Sequence, residues 1–88
     1  MTLRQLRKRI DALDLQILRL LNQRARLSAQ VGKIKKKRRL PILDSEREKR
    51  LLRRLIQNSR GPISMSSIHK IFSEILRHSR QLQISNQR

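Results

Sequence analysis

This chain predicts an all-α fold, and three observations carry the prediction. Apolar residues recur at helical spacing in three separate stretches, and nowhere do they alternate as a strand would require. Pro41 and the pair Gly61-Pro62, the strongest helix breakers present, fall only between those stretches. Eighty-eight residues allow one domain, here 1–88, near the size below which a lone core is marginal. Phe72 is the one aromatic residue, so the core must be built from Leu and Ile.

The first helix is expected over about 2–38. It opens at Thr2, where Thr-Leu-Arg-Gln can form a capping box from Thr2 to Gln5, and Pro41 stops it. Leu3, Leu6, Ile10, Leu13, Ile17, Leu20, Leu27, Val31 and Ile34 follow a 3-4 spacing that must be buried against other helices. Such a helix is roughly 54 Å long at 1.5 Å per residue. A compact globule of this size has a radius of gyration of only about 12 Å. Half the seam must therefore find its partner in another chain.

Arg24 breaks that series at the one place where a leucine is due. A guanidinium stays charged, and burying it unpaired is costly. It is explained by an anion at that place, by snorkelling to the rim, or by a buried carboxylate.

Leu40-Pro41-Ile42-Leu43 forms a short linker. The second helix is expected over about 44–58, opening at Asp44 or Ser45, with Leu51, Leu52, Leu55 and Ile56 on one face. Asn58-Ser59-Arg60-Gly61-Pro62 ends it with turn chemistry. The third is expected over about 64–84, capped near Ser64, with Met65, Ile68, Phe72, Ile75 and Leu82 inward. Ser79 stands where that seam calls for another apolar residue.

Lys and Arg outnumber Asp and Glu by 23 to 6, a formal charge of +17. Such a surface draws anions of any kind. The absence of cysteine removes disulfides and thiolate chemistry and fits a reducing compartment. The N-terminus is charged and heptad-patterned, and no apolar run approaches membrane-spanning length, so a cytoplasmic protein without membrane contact is expected. His69 and His78 have no carboxylate at metal-ligand spacing and read as surface residues; no metal or cofactor is expected.

The remaining polar residues outline a pocket. Arg24 and Lys35, eleven residues apart, share one helix face. Ser79 and Gln83 are an i, i+4 pair on the inward side of the third helix, while Asp44, Arg47 and Glu48 crowd the start of the second. Fixed cations, neutral hydrogen-bonding groups and a carboxylate suit a small dianion bearing a hydroxyl. The parts for covalent or metal chemistry are missing.

The chain resembles the all-helical chorismate mutases from about Leu6 to Gln83. The resemblance rests on Leu6-Arg7, Ile10-Asp11-Ala12-Leu13-Asp14, Leu20-Leu21 through Arg24, and Val31-Gly32-Lys33 with Lys35. It continues through Pro41 and Asp44-Ser45-Glu46-Arg47-Glu48 to Phe72, Ser79 and Gln83. It implies an intertwined homodimeric bundle of three-helix subunits that converts chorismate to prephenate by a Claisen rearrangement, without cofactor. That reaction serves phenylalanine and tyrosine biosynthesis. Carried over by position, Arg24 and Arg7 would hold the substrate carboxylates, with Arg7 supplied by the other subunit. Lys35 and Gln83 would donate to the ether oxygen, Lys35 also touching a carboxylate. Glu48 would accept from the ring hydroxyl, helped by the backbone near Asp44. Arg47 would orient that corner, and Ser79 would bind a carboxylate.

Each role has a plainer alternative. Arg7 can be a solvated flank, and Asp44 an N-cap. Glu48 can close a Ser-x-x-Glu capping box with Ser45, and Arg47 can pair with nearby acids. Lys35 lies in the basic run 33–39, and Ser79 and Gln83 can sit at a helix contact. The rival function is a basic helical nucleic-acid-binding protein, drawn by the charge; no aromatic stacking platform or helix-turn-helix pattern accompanies it. Neither that reading nor a plain coiled-coil module explains Arg24, Ser79 and Gln83 within apolar seams. The mutase mechanism does not require so basic a surface, and the charge leaves open non-specific polyanion binding, an origin with basic composition bias, or an engineered sequence.

Overall fold

The computed structural model describes residues 1–85, so the tail 86–88 of the expected domain lies outside the described residues. Its elements are α1 (Leu3–Arg38), α2 (Ser45–Asn58) and α3 (Met65–Ser85). Each helix starts where a short polar side chain meets an unpaired backbone N–H. Thr2 accepts from the Gln5 N–H at 3.2 Å while Gln5 Oε1 accepts from the Thr2 N–H at 2.9 Å, closing the expected capping box. Asp44 Oδ1 accepts from the Arg47 N–H at 3.1 Å and caps α2. Ser64 Oγ accepts from the Ser67 N–H at 3.1 Å ahead of α3. α1 ends at Arg39, whose left-handed φ of 54° turns the chain before Pro41 is reached. At the α2–α3 turn the positive φ of 76° falls on Gly61, which bears no Cβ to oppose it.

α3 packs against both other helices, α1 on one side and α2 on the other. α1 meets it through its smallest residues: Ser28 and Gly32 are buried. A Cβ on Gly32 would lie 2.7 Å from Gln83 Cα and 2.9 Å from the Gln83 carbonyl oxygen, so only glycine admits this approach. The backbones meet closely, which fixes Gln83 against the first helix.

The inward line of α3 differs from the expected one. Ile68, Leu76, Ser79 and Gln83 are buried, whereas Met65 is 68% and Leu82 37% exposed. Phe72 and Ile75 are half-buried. Because α3 serves two neighbours, its inward stripe is broader than a 3-4 seam, and Leu76 falls within it.

The α1 seam is uncovered over its whole length in the single chain. Its nine apolar residues are 41–63% exposed. The molecule measures 54 × 24 × 15 Å, with a radius of gyration of 16.0 Å rather than the roughly 12 Å of a compact chain. Ile68 and Leu76 are the buried apolar residues of the described chain, too few to stabilise a domain alone.

Candidate functional site

The C-terminal half of α1, the 39–44 linker, the start of α2 and the end of α3 enclose a cavity of about 250 Å³. Leu27, Val31, Ile42 and Leu76 give it apolar walls. Four cations, Arg24, Lys35, Arg47 and Arg80, face two carboxylates, Asp44 and Glu48, leaving an excess of two positive charges. Ser79 and Gln83 add neutral hydrogen-bonding groups.

Each polar group is held differently. Arg24 donates through Nη1 to Ser79 Oγ, joining α1 to α3. Burial, and then the neighbouring Arg47 cation, lower the pKa of Arg24, with Glu48 opposing them. An arginine so placed remains a cation and gains from any anion that enters. Lys35 Nζ donates to the Ile42 carbonyl at 2.7 Å, which ties the end of α1 to the linker. Arg80 Nη1 reaches Glu48 Oε1 at 2.6 Å and Oε2 at 2.7 Å, bridging α3 and α2. Gln83 is 8% exposed, and its Oε1 is buried without a hydrogen-bond partner among the described residues. An unpaired buried polar atom costs about 1–3 kcal/mol, so a ligand or water that satisfies it binds with that advantage.

Arg24, Lys35, Asp44, Arg47, Glu48, Ser79 and Gln83, all singled out from the sequence, line this one cavity. Arg7 does not. It is exposed and lies seventeen residues before Arg24 on the same helix, roughly 25 Å away along the axis. Three of the plainer alternatives are decided. Asp44 is the N-cap of α2 while also lining the cavity. Because Asp44 takes that position, Ser45 lies inside the helix and no Ser45–Glu48 capping box forms; Glu48 pairs with Arg80 instead. The guanidinium of Arg47 makes no ion pair among the described residues. His69 and His78 are exposed, and no group of three or more His, Cys, Asp or Glu among the described residues could hold a metal ion.

Sequence reasoning missed Arg80 and Ser28. Arg80 is three residues before Gln83, a spacing that puts the two on neighbouring positions of one helix face. That signal was available. Ser28, four residues beyond Arg24, was legible in the same way.

Residues 6–84 match the family described as chorismate mutase type II. A chorismate mutase of Methanocaldococcus jannaschii is 35% identical over 82 residues, covering 92% of this chain and 83% of that protein. A bifunctional chorismate mutase/prephenate dehydratase of Aquifex aeolicus is 38% identical over 78 residues, 84% of this chain. The chain spans 22% of that longer protein, and about a fifth of the other bifunctional relatives it matches. A solved chorismate mutase from Thermus thermophilus superposes with a TM-score of 0.89 at 36% identity, covering 91% of each chain. One from Helicobacter pylori, solved in complex with prephenate, gives 0.87 at 30% identity, covering 96% of this chain and 91% of that one. None of these likenesses supports the alternative of a nucleic-acid-binding protein.

Proposed function

The chain belongs to the type II chorismate mutase family, and from that premise we propose that it catalyses the rearrangement of chorismate to prephenate in the pocket described above. The observation that carries the reading is the charge balance of that pocket. Two surplus cations around about 250 Å³, with neutral donors among them, suit one small dicarboxylate. The volume is below the roughly 300–1,000 Å³ of usual ligand sites, which favours a single-ring substrate.

The reaction is intramolecular, so the protein's part is to select the folded diaxial conformer and to stabilise charge as it develops. C–O cleavage runs ahead of C–C formation, and negative charge gathers on the ether oxygen. Lys35 and Gln83 donate to that oxygen, where a fixed donor is worth more in the transition state than in the ground state. The burial of Gln83 supports its part, since the close approach of Gly32 to its backbone fixes that residue against α1, and its Nε2–H is the donor required. Arg24 binds one carboxylate with Ser79 beside it, and Arg47 shapes the adjoining corner. Glu48 accepts from the ring hydroxyl next to the Asp44 backbone. No general base, metal or cofactor takes part in these steps.

Arg7 completes the site from a second subunit. Its distance from Arg24 along α1 and the uncovered seam of that helix both support an intertwined homodimer. The absence of cysteine is consistent with a cytoplasmic setting, and among the described residues no helix is long and apolar enough to cross a membrane. The +17 surface adds weak, salt-sensitive polyanion binding outside the pocket. The test is incubation with chorismate and chromatographic detection of prephenate. Conversion well above the spontaneous rate is expected, and a folded, helical sample that gives none overturns the proposal.

A further inference from the structure

We propose that Arg80 is a positioning residue for this reaction: it holds Glu48 where that carboxylate accepts the substrate's ring hydroxyl, and so sets the preference for a hydroxylated ring. The inference rests on the reading of Glu48 as hydroxyl acceptor given above.

The geometry points there in three ways. A single nitrogen, Arg80 Nη1, lies 2.6 and 2.7 Å from the two oxygens of Glu48. A carboxylate gripped symmetrically from one side keeps lone pairs on both oxygens for a further donor. The pair is also sheltered, with side chains 29% and 20% exposed, unlike Arg77–Glu74 on the surface of α3 at 47% and 63%. Finally, Arg80 is the one hydrogen-bond partner of the Glu48 side chain among the described residues.

What Glu48 would do without it follows from the other cations in the cavity. Arg24 and Arg47 line the same space. A glutamate with three rotatable bonds and no hold would swing towards them, away from the hydroxyl and onto groups meant for substrate carboxylates. Arg80 comes from α3, the helix that also supplies Ser79 and Gln83, so it fixes Glu48 relative to those groups and not merely to α2. A plain brace between α2 and α3 would also use such a pair. The two roles differ in what they do to substrate choice.

The experiment compares kcat/KM for chorismate and for the analogue lacking the ring hydroxyl, in the wild type and in Arg80→Gln, Arg80→Lys, Glu48→Gln and Arg80→Gln/Glu48→Gln. Both substrates are dianions, so loss of a positive charge alone lowers both alike. Circular dichroism establishes that each variant is folded, and Arg80→Lys keeps the charge should Arg80→Gln fold poorly. Arg80→Gln and Glu48→Gln are each expected to reduce the wild type's preference by about tenfold or more, the worth of a hydrogen bond to a charged group. The double variant should lose no more than either single one, and Arg80→Lys should retain most of the preference. If Glu48→Gln lowers the preference but Arg80→Gln and Arg80→Lys, folded, leave it at the wild-type value, Arg80 is only a brace. If Glu48→Gln itself leaves the preference intact, the assignment of Glu48 fails and this inference with it. A wild type that converts no chorismate overturns the proposed function as a whole.

Discussion

Lys35 uses one of its three protons on the Ile42 carbonyl, which leaves two for acceptors inside the cavity. On the proposed reading, Lys35→Ala removes a charged donor from the place where the ether oxygen becomes negative. Its kcat should fall by the ~10²–10³ typical of losing one oxyanion-type donor, measured by the disappearance of chorismate. Gln83 is neutral and donates at any ordinary pH. In Gln83→Glu the new side chain donates only when protonated and repels the developing charge when ionised, so the activity optimum should move towards acid. An unchanged pH–rate profile for that variant would remove Gln83 from the mechanism. These residues were legible because Arg24, Ser79 and Gln83 are polar where helical spacing calls for burial. Arg80 offered only its spacing from Gln83, a signal easily passed over in a chain with 23 Lys and Arg until its partner across the cavity is seen.

Among the elements, the contact between α1 and α3 sets the precision of the site. Gly32 allows the close approach, and the atoms that an added methyl would strike belong to the Gln83 backbone, which cannot rotate aside. Gly32→Ala must push the helices apart. We expect a loss of about 1–3 kcal/mol in urea unfolding, the usual cost of overpacking, together with a fall in activity as Gln83 moves. A variant with unaltered stability and turnover would show that α3 shifts freely at this point. Helix limits were readable from Thr2, Asp44, Ser64 and the Gly61 turn because capping is local chemistry. Which face of α3 turns inward was not. That depends on α3 lying between two partners, and no single periodicity records it; Leu76 was overlooked for this reason.

At the scale of the whole molecule, a helix of 36 residues and a nearly coreless single chain are what support the proposed second copy. Sedimentation equilibrium with circular dichroism should show helix and dimer lost together on dilution; a helical species of 10.5 kDa would contradict that. The same length decides where a complete active site can exist. Arg7 and Lys35 are twenty-eight residues apart on one straight helix, roughly 42 Å, and two extended side chains cannot close that gap on a single-ring substrate. If both act on one chorismate, they come from different subunits. Homodimers of Arg7→Ala and of Lys35→Ala should then each be nearly inactive. In a mixed dimer, one site inherits both lesions while the other pairs an intact Arg7 with an intact Lys35. Co-refolding the two variants should therefore restore activity, up to half the wild-type value per heterodimer. Tagging the two variants differently allows the heterodimer to be isolated before assay. A purified heterodimer as inactive as its parents would mean that Arg7 does not complete its partner's site, and that the cavity within one chain must bind both carboxylates itself.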